Sequence, residues 1–321
     1  VLFRSSPRQA IWSPDKKSFL DIDGSIAELI ETETGIPKCT LTMNGTQITS
    51  AAFRQDAHYL IVGAKDRTAR VWNTWECREV AVLRGHSQSV QGVEFAPAGD
   101  AMLTVGNEGL VRLWNDTTGD SYIKLPVEAV RTAKWSPDGR HILVHAEGSA
   151  IWVFDAQHPE SGRLLRPADL SPEFMSWHPN SNKVLLGGGG NSFAVFNIDN
   201  GGAVLTYSQP SLIAYSNVQF SRDGKVVLAT TRRPSIELLA VDHEPITSLL
   251  EIPAPPDQEI VAALSETGLI ASGCLASSKC QDKAVRILDS ELGQELFVLP
   301  GHTGGVSSMS FGSDGRRLLT I

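Results

Sequence analysis

Cysteine is scarce in this chain. Four are spread over 321 residues (Cys39, Cys77, Cys274, Cys280), and none forms a C-x-x-C pair. Read from spacing alone, they are too few and too scattered for a disulfide framework and suit a reducing compartment. A basic surplus is also lacking: the formal charge is −8, with acids and bases interspersed, which argues against a phosphate-tracking surface and a nucleic-acid partner. No apolar run reaches the 18 or more residues of a membrane span, so no membrane is expected, and no basic-then-apolar leader is read. The expected location is the cytoplasm. Helical patterning is missing as well, because no apolar stripe at three- and four-residue spacing persists for ten residues.

What is present is a globular composition, 41% hydrophobic and 20% charged, ample for one large core. The first residue is Val1 and the last, Ile321, sits inside the strand-like run RRLLTI, so a fragment cut at both ends is expected. Residues 1–5 include LFRS, which resembles a translated sequencing adapter and is given no structural weight.

The chain repeats itself. An apolar residue followed by a Ser-Pro-Asp-Gly-like turn occurs at Trp12, Phe53, Phe95, Trp135, Trp177, Phe220, Leu264 and Phe311, in steps of 40–47 residues. Each period holds short alternating stretches, such as VQGVEF, AMLTV, LVRLW and EVAVL, separated by turn residues. Four antiparallel strands in about forty residues is the pattern of a β-propeller blade, an all-β fold in which radial stacking buries both faces of each sheet. Trp72 and Trp114 then fall on third strands, where a large ring fills the gap to a neighbouring sheet.

At this point the motifs resemble the WD-repeat family. The segment Arg84-Gly-His-Ser-Gln-Ser-Val90 through Val111-Arg-Leu-Trp-Asn115 carries a Gly-His opening and a Trp-Asp-like ending, and Pro300-Gly-His-Thr-Gly-Gly-Val306 opens another repeat. The resemblance implies a structural network of histidine, second-strand hydroxyl, turn acid and tryptophan. Carried over, it names His86, Glu108 and Trp114 in one repeat, Asp66 and Trp72 in the one before it, and Asp282 and His302 near the end. Arg70, Arg112 and Arg286 recur two residues before the third-strand landmark. The match is uneven. Asn44-Gly45-Thr46 stands where Gly-His is expected, the units around Trp135, Trp177, Phe220 and Leu264 lack Gly-His, and Phe154, Phe196, Val241 and Leu288 are read in place of Trp. The repeat style resembles that of bacterial members.

Seven units are expected at 9–42, 43–83, 84–125, 126–166, 167–209, 210–253 and 254–299, a propeller over 6–299, with 300–321 beginning an eighth. Either a seven-blade ring is closed with a half-blade appended from a second propeller, or an eight-blade ring has lost its end; the first is preferred.

Chemistry is hard to find. His141 and His145 share a strand face, but a metal site needs further converging ligands, so they are read as packing residues. Gly187–Gly190 is followed by a strand-like run, not the helix that a phosphate cradle needs. Cys274 and Cys280 flank a small-residue loop and are read as incidental thiols rather than a redox pair. First-strand runs such as ITSAAF and VSSMSF are small and neutral, without paired carboxylates. The expected function is a non-catalytic protein-interaction platform without cofactor or metal; the alternative is a recruiting domain of a larger enzyme, such as a kinase or peptidase. The resemblance implies a partner face at the turns between second and third strands, with Lys65, Arg67, Asn107, Arg232, Arg233 and Gln281 as candidates for binding a protein or peptide.

Overall fold

The computed structural model describes residues 9–115, 122–165, 170, 172–188, 190–208, 214–232, 235–241, 246–253, 258–276, 280, 282–312 and 315–321. Among them are seven four-stranded antiparallel sheets and one two-stranded sheet. Each four-stranded sheet is a meander whose neighbouring strands are consecutive in sequence. All eight landmarks end the first strand of their sheet: Gln9–Trp12, Ile48–Phe53, Val90–Phe95, Val130–Trp135, Phe174–Trp177, Tyr215–Phe220, Ile260–Leu264 and Met309–Phe311. The chain divides into two compact units, one holding the four blades of Arg8–Arg166 and the other the three blades and two-stranded sheet of Pro167–Ile321.

The repeated turn has a local cause. In Ser13-Pro-Asp15 the serine Oγ donates to the Asp15 carboxylate at 2.6 Å, that carboxylate accepts Lys17 N at 3.1 Å, and Ser13 Oγ accepts Ser18 N at 3.0 Å. Ser136–Asp138 and Ser221–Asp223 repeat the arrangement. The turn needs one left-handed residue. Gly139 supplies it at φ 73°, and Lys16 takes the same role at φ 59° against its steric preference.

A second device ends the third strand. Asn73 Oδ1 accepts the amides of Trp75 and Glu76 at 2.9 and 3.0 Å. Asp155, Asn197 and Asp289 do the same for the turns that follow them. The Asn or Asp after the third-strand landmark is therefore a turn cap, satisfying donors the sheet leaves open.

Pairing register defines equivalent positions. Trp72 lies opposite Leu60, Trp114 opposite Met102, Phe154 opposite Ile142, Leu239 opposite Val227 and Leu288 opposite Ile270. In the sixth blade this position is Leu239, which corrects the reading of Val241. The two residues point to the same face because strand side chains alternate with period two, so a slip of two is invisible to hydrophobic pattern. Each of these side chains packs backward. Trp72 joins a core with Leu29, Cys39 and Leu41 of the first blade, and Trp114 one with Val71, Ala81 and Leu83 of the second. Phe154 packs with Leu113 and Leu125 of the third, Leu239 with Val195 and Leu205 of the fifth, and Leu288 with Leu238 and Ile236 of the sixth. Stacked sheets thus share cores that a single blade could not bury.

The cysteines overturn the reading from spacing. Cys39 is bonded to Cys77 with their Cα atoms 5.6 Å apart, and Cys274 to Cys280 with theirs 5.8 Å apart. Both separations lie within bridging range. The first pair is 38 residues apart in sequence, so spacing could not disclose it; the fold brings the fourth strand of the first blade (Pro37–Thr42) beside the turn that precedes the fourth strand of the second. The expectation of a cytoplasmic location leaned on unpaired thiols and loses that support.

Candidate interaction face

In the second, third and seventh blades the turn between the second and third strands carries an acid bonded to an arginine of the third strand. In the third blade two neighbouring strands, the loop that enters the blade and the turn between those strands contribute to one hydrogen-bonded chain. Trp114 Nε1 donates to Thr104 Oγ1 at 3.0 Å, and Thr104 Oγ1 lies 2.7 Å from His86 Nε2. His86 Nδ1 lies 2.5 Å from Glu108 Oε1. The two ring nitrogens thus bridge the threonine to the carboxylate, and Arg112 Nη1 also lies 2.8 Å from Nδ1. Burial depresses the His86 pKa and the Arg112 charge adds to that, against the opposing pull of Glu108. Burial alone would push the Glu108 carboxyl up, but hydrogen bonds from His86 and Arg112 hold it below its ordinary value. Arg112 reaches Glu108 at 2.9 Å and Gly85 O at 2.7 Å, with its guanidinium over the Tyr122 ring at 4.9 Å.

The second blade holds its turn without a histidine. Asp66 accepts the Thr68 amide and hydroxyl at 3.1 and 2.6 Å and Arg70 Nη2 at 2.9 Å. Arg70 Nη1 continues to Glu79 at 2.9 Å. Trp72 Nε1 has no partner among the described residues. In the seventh blade Asp282 accepts Ala284 N at 2.9 Å and pairs with Arg286, which also pairs with Glu295. His302 Nε2 lies 2.8 Å from Thr320 Oγ1, so the two-stranded eighth sheet brings together the histidine and hydroxyl of another such network.

Glu79 and Glu295 were missed in the sequence. Both stand nine residues after their arginine, and that recurring spacing was the available signal. Glu237 occupies the same register position in the sixth blade as Arg70 in the second, opposite Ala229 as Arg70 is opposite Val62. Glu94, on the third blade's first strand, was also missed. Burial raises its pKa to about 7 against the Trp135 amide at 2.8 Å and the Lys134 charge.

The outward side chains of these turns form the candidate face. Lys65 and Arg67 are exposed on either side of inward-turned Asp66, and neither pairs with an acid among the described residues. Asn107 is exposed in the equivalent turn of the third blade and donates to Gln88 Oε1 at 3.1 Å. Arg232 is exposed but lies 3.4 Å from Glu173, so the positive spot expected there is partly neutralised. Arg233 and Gln281 lie outside the described residues. His141 and His145 share a second strand, and burial lowers the His145 pKa. Gly187 closes a strand and Ser192 opens the next, so the glycine run joins two strands and no helix follows it; Gly189 lies outside the described residues. Between the first strands of the sixth to eighth sheets is a cleft of about 290 Å³, its polar lining the amides of Asn217 and Gln219 and the hydroxyls of Ser307, Ser308 and Ser310. No helix among the described residues is long and apolar enough to cross a membrane.

Comparison with known proteins agrees with this geometry. The family model described as WD domain, G-beta repeat matches residues 37–73, 77–115 and 293–320. Those stretches contain the second and third blades' networks and the His302–Thr320 pair. A p21-activated protein kinase-interacting protein 1-like from Gallus gallus is 38% identical over 119 residues, 36% of this chain and 31% of that protein. The chain therefore spans about a third of that relative. Eukaryotic translation initiation factor 3 subunit I from Lodderomyces elongisporus is 21% identical over 299 residues, 84% of this chain and 85% of that protein. The relatives named are eukaryotic, and the expectation of a bacterial-type repeat finds no support. The C-terminal WD40 domain of Sif2 superimposes with a TM-score of 0.78 at 16% identity, covering 97% of this chain and 91% of that one. The chain carries WD40 repeats on a WD40-type β-propeller fold.

Proposed function

We propose that this chain is a non-catalytic platform for protein–protein association that works as one subunit of a larger cytoplasmic assembly. Two of its relatives are a subunit of a translation initiation factor and a kinase-interacting protein, both named for association with other proteins. The observation that carries the reading is the turn at Lys65-Asp66-Arg67. Its acid is engaged by Thr68 and Arg70, which leaves two exposed cations with no acid partner among the described residues on one hairpin turn. A preformed pair of cations on an acidic protein suits an acidic segment of a partner, and arginine is a favoured anchor. Asn107 of the neighbouring blade adds a polar contact.

The test is quantitative co-purification and binding with the wild type and a Lys65→Glu/Arg67→Glu variant. Both side chains are exposed, so the variant should fold normally. Loss of at least tenfold in affinity for the co-purifying proteins is expected, because like charges then face an acidic partner. An unchanged partner set at unchanged affinity would remove this face from the proposal.

A further inference from the structure

We propose that Cys39 and Cys77 form a reversible thiol-oxidation site that latches the first blade to the second. Cys39 lies on the outer strand of the first blade, is only 6% exposed, and belongs to the core that also holds Trp72. Cys77 sits in an exposed turn of the second blade. One sulfur is therefore open to solution while the other is sheltered. That asymmetry suits an attacking thiol and a resolving thiol, since access decides which one reacts first.

The reduced state is also provided for. Thr74 O lies 3.7 Å from Cys39 Sγ, and Lys38 O lies 3.6 Å from Cys77 Sγ. On reduction each S–H has a carbonyl acceptor in place, so neither state leaves a polar group stranded. The seam also keeps its apolar packing, because Leu29, Leu41 and Trp72 do not depend on the sulfur bond. Two satisfied states separated by one covalent bond make a switch rather than a fixed staple.

The chemistry balances with a peroxide as oxidant. The Cys77 thiolate attacks the O–O bond of hydrogen peroxide, giving a sulfenic acid and, after proton transfer, water. The Cys39 thiol then attacks the Cys77 sulfur, the S–O bond breaks, and a second water leaves. Two thiols are oxidised and one peroxide is reduced. Two equivalents of a small thiol such as glutathione reverse the process by exchange, yielding two protein thiols and one small-molecule disulfide. Trp75 is a built-in reporter: it is 76% exposed, two residues from Cys77, and stacked edge-on against His58 at 4.6 Å.

The experiment uses the full chain carrying Cys274→Ser and Cys280→Ser, which silences the second pair, alongside the wild type. Both are equilibrated in reduced and oxidised glutathione buffers, with a peroxide-treated arm, and the joined peptides are mapped by mass spectrometry. We expect one reversible two-electron transition of a Cys39–Cys77 link, with the strand signal in far-UV circular dichroism unchanged. Reduction should lower the melting temperature by on the order of 10 °C, from the loop entropy that the bond removes. A Cys77→Ser variant should melt like the reduced protein and no longer respond to redox buffer. Three results would overturn the proposal: no joined peptide at the oxidising limit, a link reducible only in denaturant, or loss of the strand signal on reduction. The first would mean no bond forms, the second a permanent staple, the third a bond the fold requires.

Discussion

The second and third blades have the same strand order and the same register around their tryptophans, yet they hold that geometry in different ways. In the third, Trp114 is wholly buried and joined through Thr104 and His86 to Glu108. In the second, Trp72 is packed almost as well, but its indole N–H meets no described partner, and the turn is held by Asp66, Arg70 and Glu79 instead. An acid in the turn between the second and third strands, bonded to the arginine four residues on, is common to both. In the third blade the histidine relay supports that acid in addition to the arginine, whereas in the second the arginine bridge stands without it. The fourth and sixth blades place Phe154 and Leu239 at the same position and pack them against the preceding blade. What the repeats share is therefore a packing site and a turn, while the polar chemistry between them is exchangeable.

The largest effect that would sharpen this comparison is Trp114→Ala. Removing a wholly buried indole from the core between the second and third blades should cost about 3–5 kcal/mol. Urea denaturation of wild type and variant measures it, and a cost under about 1 kcal/mol would contradict the packing described for this site.

A smaller and more selective effect comes from replacing each tryptophan by phenylalanine. Both changes shrink a buried ring, but only Trp114→Phe also leaves Thr104 Oγ1 without its donor. Trp114→Phe should therefore cost about 1–2 kcal/mol more than Trp72→Phe. Equal costs in parallel denaturation curves would mean that the relay adds nothing beyond packing.

The smallest effect is in pH. His86 has a folded-state pKa below its ordinary value, so the folded chain favours the neutral ring and the unfolded chain binds the proton more readily. Stability from this site is fully present above the ordinary histidine value and is lost as pH falls through it toward the lowered one. Glu108, with its pKa also lowered, adds a loss of the same sign at more acidic pH. Glu94, with its raised pKa, works in the opposite sense over the same range but is common to the wild type and a His86→Gln variant. The change in urea midpoint from pH 7.5 to 5.5 should therefore be more unfavourable in the wild type than in the variant. Parallel slopes would show that the ring does not titrate with folding.

Much of the architecture was legible before any coordinates. The apolar landmark marks the end of a first strand because the Ser-Pro-Asp turn after it is a local hydrogen-bonded unit, self-contained within five residues. His86, Glu108 and Trp114 could be named because the resemblance to WD repeats implied them, and the structure brings them together through Thr104, a second-strand hydroxyl not named in advance. The register of the sixth blade was not legible, since Leu239 and Val241 lie on one face and only the pairing distinguishes them. Glu79 and Glu295 were overlooked because their partners are diagonal across strands, a relation that appears only once a bulge sets the register. The expected positive spot at Arg232 changed character for a similar reason: Glu173 is distant in sequence and adjacent in space.

By itself, then, the sequence determined the period, the strand-and-turn alternation, and the third-strand residues that most blades pack against their predecessors. These follow from local sterics and from the period-two alternation of side chains, which need no knowledge of distant contacts. Only the tertiary structure decided which cysteines meet, which acids answer which arginines, and which cations on the turns are left facing solvent. Those outcomes depend on side chains brought together from separate strands and blades, and pairing across such distances is set by packing rather than by spacing along the chain.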